Sequence, residues 1–427
     1  LVERSERLGG KLLTEREHGF LVEGAADSFL SRKPRGIGLA EELGLEDELV
    51  GRRPENARTF VRSGAGLHPL PEGLTGMIPT SLDALERSEL LSRDGRERLA
   101  AEIEVPAARR AGDESIAAFV SRRLGREAWD KLVEPLMTGI YGGDGEQLSL
   151  HATFPNLRAL ELEHGSVLRG LQAQPAAAGP YPPFVSFRGG MSVLVERIVD
   201  GLERTHIHVG VVATALRRSD GGYEVELDDG RVLDAGGVVL AAPAFAVAEL
   251  LAELDPGLAG EHREIRYASS AIVTLALAGE PGLDGYGYVV PRAERSDVLA
   301  CTWSSSKWEG RAPAGPALAR VYLGRFGGTD VTEEPDDGLV DRARAELRLV
   351  GIDLEPERTW IHRWAEGMPQ YLLGHPERLE RIDAALERHA GLAVAGAAYR
   401  GVGIPDCIHS GEEAAGSVAL SLSVAKR

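Results

Sequence analysis

A glycine-rich turn near the C-terminal end of the chain joins an apolar run to an amphipathic segment. Residues 392–395 predict a short buried strand, Gly396, Gly401 and Gly403 follow it, and Pro405 suits the first position of a helix. Free backbone N–H groups at a helix start favour negative charge, and glycine lets a ligand approach them closely. The turn therefore indicates a site for an anionic or electron-rich ligand, although an ordinary strand-to-helix turn has the same pattern.

An acid close to the other end, Glu3, ends an apolar run, and the turn Arg7-Leu8-Gly9-Gly10-Lys11 comes soon after it. In dinucleotide-binding folds an acid after the second strand accepts hydrogen bonds from ribose hydroxyls. A first strand, a G-x-G-x-x-G turn and a helix would precede such an acid, whereas this sequence opens in strand-like residues. We therefore expect that roughly 30 further residues, about one βαβ unit, precede Leu1 in the complete protein.

Composition narrows the class of protein. A chain of 427 residues is long enough for two or three domains. The net charge of −18, from 66 acidic and 48 basic residues, disfavours nucleic acid as a partner and gives no attraction to anionic lipid. Two cysteines cannot form a disulfide scaffold or a four-thiolate metal site, so we predict a cytoplasmic protein and no metal. No apolar run reaches the length of a transmembrane helix.

Periodicity and turn residues alternate between helical and strand-like patterns along the chain. The chain is predicted to be mostly helical from 81 to 171, with N-caps at Ser81 and Asp113, and a Pro-rich segment at 173–183 is predicted to be a mobile loop. The other predicted elements are a helix within 36–49, a hairpin at 57–70, a strand at 184–187, a helix at 191–202, a β-meander over 206–242, strands at 272–277, 286–290, 298–303 and 319–326, and helices at 336–350 and 376–389 around the strand that carries Trp364.

Several motifs in this order resemble the coproporphyrinogen III oxidase/protoporphyrinogen oxidase family of the Gram-positive type. Two segments of this chain resemble the N-terminal flavin-binding motifs of that family. They are Glu3 with Arg7-x-Gly9-Gly10-Lys11, and Gly19-Phe20 with Ala26-Asp27-Ser28-Phe29-Leu30. Its central signature is similar to Glu134-Pro135-Leu136 with Gly139-Ile140-Tyr141-Gly142-Gly143-Asp144. The remaining matches are Phe187-Arg188-Gly189-Gly190-Met191, Trp364 with Met368-Pro369-Gln370-Tyr371, and Gly401-Val402-Gly403-Ile404-Pro405-Asp406-Cys407-Ile408. One departure is Ala25-Ala26, where the family carries Gly-Pro.

The resemblance implies a mixed α/β (α+β) fold, with an FAD/NAD(P)-binding Rossmann-like domain of the amine oxidase/protoporphyrinogen oxidase superfamily. In it, residues 1–50, 184–255 and 376–427 would form a discontinuous FAD-binding domain that lacks its first βαβ unit. Residues 51–80 and 262–375 would form a sheet-based substrate domain, and 81–172 an inserted helical domain.

The resemblance also implies which residues bind the ligands. FAD, held non-covalently, would contact Glu3, Arg4, Arg7, Gly10, Lys11, Ala25, Ala26, Asp27, Ser28, Val212, Ala213, Trp364, Gly396, Val402, Gly403 and Ile404. The substrate would contact Arg188, Gly189, Gly190, Gln370 and Tyr371. For Trp364 a core position, and for 188–190 a plain strand-to-helix turn, remain open as alternatives. No side chain is predicted to be catalytic, because none accepts a hydride and N5 of the flavin does.

The activity implied is the oxidation of coproporphyrinogen III to coproporphyrin III in haem biosynthesis, with O2 as electron acceptor and H2O2 as product. The tail with Pro405, where protoporphyrin-type relatives more often carry Asn, favours this substrate over protoporphyrinogen IX. The other open alternatives are another flavin amine oxidase or carotenoid desaturase, and a flavin-free inactive fragment. The expected partners are the porphyrinogen and O2. A transient contact with the next haem-pathway enzyme or with a membrane surface is a further open expectation.

Overall fold

The computed structural model describes residues 1–75, 77–108, 112–174, 179–279, 282 and 284–425. One large sheet, a block of short helices and a group of small sheets joined by helices account for most of them. The predicted Pro-rich loop at 173–183 falls partly outside the described residues, at 175–178.

The largest sheet has seven strands and includes the hairpin predicted at 57–70. Its only parallel neighbours within the described chain are Phe60–Ser63 and Gly287–Val289. In spatial order the strands are Pro356–Pro369, Tyr267–Leu277, Ala317–Leu323, Val298–Trp303, Gly287–Val289, Phe60–Ser63 and Gly66–Pro69. All four strand-like runs predicted between 272 and 326 are therefore confirmed.

One face of this sheet is covered by the helix Asp336–Leu349. Leu339, Ala343 and Leu347 recur every fourth residue, so they share one side of that helix, and all three are buried. They join one core cluster with alternate residues of the strand Tyr267–Leu277, because alternation places those side chains on the same sheet face.

The segment predicted to be helical forms a compact block with its own core. Its elements are Leu82–Glu86, Arg93–Ala100, Ala101–Glu104 (3-10), Ile116–Leu124, Arg126–Ala128, Trp129–Val133 (π), Glu134–Tyr141, Leu150–Thr153, Pro155–His164 and Val167–Ala173. The N-cap predicted at Ser81 is confirmed, since its hydroxyl accepts from the N–H of Ala84 at 3.2 Å. The N-cap predicted at Asp113 is wrong: Ser115 directly precedes the first helical residue, and its hydroxyl accepts from Ala118 at 3.1 Å.

The predicted meander is shorter than 206–242. Its strands are Ala213–Ser219, Gly222–Leu227 and Val232–Ala235. The preceding residues pair instead with the start of the chain, because His208 donates to Leu1 and accepts from Glu3 through backbone groups at 2.9 and 2.8 Å. The strand Val238–Leu240 then pairs in parallel with Leu392–Val394, the strand that leads into the C-terminal glycine-rich turn.

The remaining elements surround these small sheets. The helices are Pro34–Glu42, Ser192–Asp200, Ala244–Leu250, Pro256–Arg263, Ser304–Lys307, His375–Leu386 and Ile404–Ala425, and the 3-10 turns are Glu46–Glu48, Pro54–Asn56, Arg292–Glu294 and Val331–Glu333. The strands are Thr14–Glu17 with Phe20–Glu23, Phe29–Leu30 and Leu49–Gly51 on either side of Phe184–Phe187, and Leu74–Thr75 with Ile78–Pro79. Within the described part of the chain, no helix has the length and apolar character needed to cross a membrane.

Candidate active site

The start of the last helix presents backbone N–H groups that the protein leaves free. The carbonyl of Gly403 accepts from the N–H of Asp406 at 3.0 Å, which closes the first turn of the helix. Among the described residues, the N–H groups of Val402, Gly403 and Ile404 have no hydrogen-bond partner. Such groups lie at the positive end of the helix dipole, so together they can stabilise negative charge on a ligand.

The turn that precedes this helix requires glycine. Gly401 has a φ of +147°, and a Cβ built on it would lie 2.5 Å from the Cβ of Asp406. Asp406 is itself held by Lys33, whose Nζ lies 2.7 Å from its Oδ1. Gly396 also has a positive φ, and its N–H donates to the hydroxyl of Ser410 at 3.1 Å. The turn is therefore fixed before any ligand binds.

Tyr371, predicted to contact substrate, supports this turn from inside the protein. Its hydroxyl donates to the carbonyl of Ala397 at 2.6 Å and accepts from the N–H of Gly401 at 2.9 Å. Its ring stacks on His375 with centroids 4.3 Å apart, and the Nε2 of His375 bonds to the carbonyl of Tyr399 at 2.9 Å. Because burial is complete, it raises the pKa of Tyr371 well above its usual value.

Gln370, also predicted to contact substrate, is 1% exposed. Its Nε2 donates to the carbonyl of Tyr141 at 2.8 Å and to that of Met368 at 3.2 Å, so it joins the helical block to the large sheet. The geometry therefore makes Gln370 and Tyr371 supports of the site, and neither offers exposed surface to a substrate.

Asp27 is the centre of a buried ion-pair cluster. Its Oδ2 accepts from the Nζ of Lys307 at 2.8 Å and from the indole N–H of Trp308 at 3.2 Å, and it lies 3.8 Å from a guanidinium nitrogen of Arg320. The hydroxyl of Ser28 donates to Oδ1 at 2.8 Å. Burial alone would raise the pKa of Asp27, but the charges of Lys307 and Arg320 outweigh it and hold the pKa well below its usual range. Its carboxylate is thus occupied by protein groups.

The backbone just before Asp27 is clamped by the large sheet. The indole N–H of Trp364 donates to the carbonyl of Gly24 at 2.9 Å, and Arg320 donates to the carbonyl of Ala25 at 2.6 Å. Neither Ala25 nor Ala26 has a positive φ, so the departure from Gly-Pro introduces no backbone strain here. The turn 24–28 is therefore held rigidly against the strand that carries Trp364.

The N-terminal acid is placed to accept hydrogen bonds. Glu3 Oε1 accepts from the N–H and the hydroxyl of Ser5 at 2.8 and 2.5 Å, and among the described residues Oε2 makes no hydrogen bond. Arg7 is turned back on its own loop, where it donates to the carbonyls of Leu8, Gly10 and Leu12. The guanidinium of Arg7 therefore shapes this loop rather than projecting into solvent.

The remaining residues of the predicted flavin set lie near the surface. Arg4, Gly10 and Lys11 are exposed, and desolvation by the surrounding protein lowers the pKa of Lys11. The backbone N–H and carbonyl of Val212 are both bonded to Asp228, at 3.0 and 2.9 Å. A contact between adenine and the backbone of Val212 would therefore compete with these bonds, whereas the side chain of Val212 is 39% exposed.

The Arg188-Gly189-Gly190 turn has the contacts of a plain strand-to-helix turn. Arg16 donates to the carbonyl of Gly189 at 2.8 Å, and Arg311 donates to that of Arg188 at 3.1 Å. A Cβ on Gly190, whose φ is +91°, would lie 2.3 Å from the Cγ2 of Thr14. These carbonyls and this glycine are thus committed to protein packing, whereas the side chain of Arg188 is exposed, so a substrate contact at this turn stays a prediction.

Three cations of the site, Lys307, Arg320 and Lys33, are not among the residues that the sequence predicts. A buried carboxylate such as Asp27 needs a counter-ion, which is a signal that one exists. It does not identify the partner, because Lys307 follows Asp27 by 280 residues. The described residues contain no group of three or more side chains able to hold a metal ion.

Comparison with known proteins identifies the family. The family model for flavin-containing amine oxidoreductases matches residues 1–419. The chain belongs to that family. As a member it is an oxidoreductase whose cofactor is FAD, and the free N–H groups of 402–404 together with the open acceptor of Glu3 fit such a cofactor.

Individual relatives within this family have more specific names. The coproporphyrinogen III oxidase of Bacillus subtilis is 36% identical over 97% of this chain and 90% of its own, and that of Staphylococcus aureus is 32% identical over 99% and 93%. A solved structure from Exiguobacterium sp. 255-15, provisionally named a protoporphyrinogen oxidase, has a TM-score of 0.86 at 33% identity and covers 99% of this chain and 92% of its own. The sequence-based resemblance to this family is thereby confirmed.

More distant solved structures share the fold alone. A reduced UDP-galactopyranose mutase has a TM-score of 0.71 at 16% identity, over 100% of this chain and 90% of its own. The predicted fold class, a mixed α/β fold of the amine oxidase/protoporphyrinogen oxidase superfamily, is confirmed by the family match and the 33%-identical structure.

Replacing Glu3 by alanine is expected to weaken FAD binding by about 1.5–3 kcal/mol, because a charge-assisted hydrogen bond is lost. Flavin affinity would be measured by fluorescence titration of the apoprotein. Glu6→Ala, which removes an exposed acid three residues along the chain, is the control and should bind FAD as the parent does. Equal affinities of the Glu3 and Glu6 variants would contradict a ribose-binding role for Glu3.

Proposed function

We propose that this protein is a coproporphyrinogen III oxidase, which uses FAD and O2 to form coproporphyrin III and H2O2 in the haem pathway of the cytoplasm. The observation that carries the proposal is the 36% identity, over 97% of the chain, to an enzyme of that name. The same name recurs among relatives from Staphylococcus, Propionibacterium and Mycobacterium at 32–35% identity. The substrate and O2 are the partners that this activity requires.

The residues that would hold FAD come from 1–50, 184–255 and 376–427, which we propose as one discontinuous cofactor domain. When bound, FAD supplies a two-electron acceptor that no side chain provides. Glu3 would accept hydrogen bonds from a ribose, and the N–H groups of Val402, Gly403 and Ile404 would stabilise negative charge that develops on the electron acceptor. This support needs no reorganisation, since Tyr371 already fixes the turn through Ala397 and Gly401.

The turn 24–28 would form part of the wall against which the cofactor lies. Its carbonyls at Gly24 and Ala25 are held by Trp364 and Arg320, and its carboxylate at Asp27 is neutralised by Lys307. The wall would therefore place no unpaired negative charge beside the cofactor, which accepts the electrons. We infer that these residues position the cofactor relative to the proposed substrate domain, 51–80 and 262–375, and the proposed helical domain, 81–172.

We expect kcat/KM for coproporphyrinogen III to be at least about tenfold higher than for protoporphyrinogen IX. Coproporphyrinogen III has four propionates, whereas protoporphyrinogen IX has vinyl groups in place of two of them. In a pocket that binds four propionates, protoporphyrinogen IX would leave polar donors unpaired, and each unpaired donor costs roughly 1–3 kcal/mol. Steady-state kinetics of both substrates, with O2 consumption and H2O2 formation recorded, would measure the ratio.

Protoporphyrinogen IX oxidation is the second candidate, because the spinach protoporphyrinogen oxidase 1 is also similar, at 29% identity over 99% of this chain. A higher kcat/KM for protoporphyrinogen IX would establish that alternative. An amine oxidised in place of both porphyrinogens would place the protein among the other activities of the family.

A further inference from the structure

One cation beside the turn 24–28 makes no hydrogen bond or ion pair to any described residue. Lys307 and Arg320 bond to Asp27 and Ala25, and Arg311 donates to three groups of the strand Phe184–Phe187 and the turn after it. Arg52, in contrast, forms no hydrogen bond or ion pair within the described part of the chain. Its backbone is nevertheless tied to this cluster, since the N–H of the next residue, Arg53, donates to the carbonyl of Lys307 at 3.0 Å.

Arg52 is held in place by two aromatic rings. Its guanidinium carbon lies 4.7 Å from the ring centroid of Phe184 and 4.7 Å from that of Tyr286, both within the range of cation–π attraction. The ring of Phe184 has no acceptor atom, and the hydroxyl of Tyr286 already donates to the carbonyl of Arg53 at 2.7 Å. The rings therefore fix the guanidinium but leave its N–H donors unsatisfied.

The backbone around Arg52 is also fixed. Gly51 pairs with Val185 in the small sheet, and the N–H of Arg53 donates to the carbonyl of Lys307 at 3.0 Å. Arg52 is half-buried, and this partial burial lowers its pKa from the ordinary value. A rigid, partly desolvated guanidinium without a counter-ion is a preorganised site for a carboxylate, which can accept two of its N–H donors at once.

We propose that Arg52 binds a propionate carboxylate of the porphyrinogen. This inference rests on the proposed function, and it names the group that would recognise the charged edge of the substrate. Phe184 is 36% exposed and offers an apolar surface beside the guanidinium, which suits a ligand whose carboxylates project from an apolar macrocycle. Tyr286 is buried and holds the other side. Arg52 is thus a substrate-binding residue that lies beside the cofactor wall at Asp27.

The test compares ligands with and without the carboxylate charge. Coproporphyrin III and its uncharged tetramethyl ester would be titrated, by fluorescence, into the FAD-loaded protein and its Arg52→Gln variant. We expect Arg52→Gln to weaken binding of the free acid at least about tenfold, since a charge-assisted bidentate contact is lost, and to change ester binding less than about twofold. KM for coproporphyrinogen III should rise by a similar factor.

The control is Arg53→Gln, because Arg53 is adjacent but pairs with Glu55 on the surface at 2.8 Å, and its binding should equal that of the parent. If Arg52→Gln does not fold, Arg52→Lys serves in its place, because it keeps the positive charge but loses the planar guanidinium. Its affinity for the free acid should fall by less than in Arg52→Gln, and its affinity for the ester should not change.

The outcomes separate this inference from the proposed function. Unchanged free-acid affinity in the Arg52 variant, or an equal loss for acid and ester, would overturn the inference while leaving coproporphyrinogen turnover by the parent intact. A variant whose only change is a lower FAD content would show that Arg52 serves the cofactor, and would also overturn it. Failure of the parent to turn over coproporphyrinogen III would instead reject the proposed function.

Discussion

Replacing Asp27 by alanine is expected to lower the free energy of unfolding by about 3–5 kcal/mol, because it leaves buried cations without their counter-ion. The side chains of Lys307 and Arg320 are 16% and 1% exposed, so water cannot replace the lost carboxylate. The turn 24–28 would lose its main anchor as well, and FAD content should fall. Urea denaturation at neutral pH and the flavin-to-protein absorbance ratio would measure the two effects.

Two further variants isolate the charge. Asp27→Asn keeps the size and an acceptor for the indole of Trp308 but removes the negative charge, so an intermediate loss is expected. Asp229→Ala removes a carboxylate of an exposed pair with Arg231, whose side chains are 39% and 45% exposed, and should change stability by less than about 1 kcal/mol. Similar losses for Asp27→Ala and Asp229→Ala would refute the structural role of the buried cluster.

Acidification is expected to destabilise the protein through His375 between about pH 6.5 and pH 4. Burial lowers the pKa of His375 from 6.5 to about 4, because the residue is only 3% exposed and its charged form is desolvated. In this window the unfolded chain binds a proton that the folded protein excludes, so stability is present above the unfolded pKa and falls as the pH drops. The full effect of a shift of this size is about 3 kcal/mol.

Loss of this packing should release flavin, since His375 supports Tyr371 and Tyr371 fixes the turn at Gly401. His375→Gln retains a donor for the carbonyl of Tyr399 but cannot be protonated, so its stability should fall less steeply with acid. His262 and His362 are also buried with lowered pKa values, so the difference between variant and parent isolates His375.

The measurement for His375 is urea denaturation and flavin release at several pH values from 7 to 4. The control is His409→Gln, which removes an exposed histidine whose side chain is 59% exposed. Its pH profile should match that of the parent. A profile of His375→Gln that coincides with both would contradict the role assigned to burial.

The sequence determined the elements whose signals are local. The hairpin at 57–70, the four strand-like runs of the large sheet and the strand and helix around Gly396 to Pro405 all follow from periodicity and turn residues within about ten positions. Where a partner elsewhere in the chain competes for the backbone, the local signal fails. Residues 206–208 fall within the predicted meander, yet the backbone groups of His206 and His208 bond to residues 1–3.

The roles of individual polar side chains depended on the tertiary structure. Gln370 and Tyr371 lie in a motif that predicts substrate contact, but packing against Tyr141 and the turn at Gly401 buries them. Asp27 lies in a motif that predicts FAD contact, but its carboxylate is paired with Lys307, which follows it by 280 residues. Residue type and spacing carry no information about contacts across hundreds of positions. Only the folded chain decides which charges are neutralised and which, like that of Arg52, remain available to a ligand.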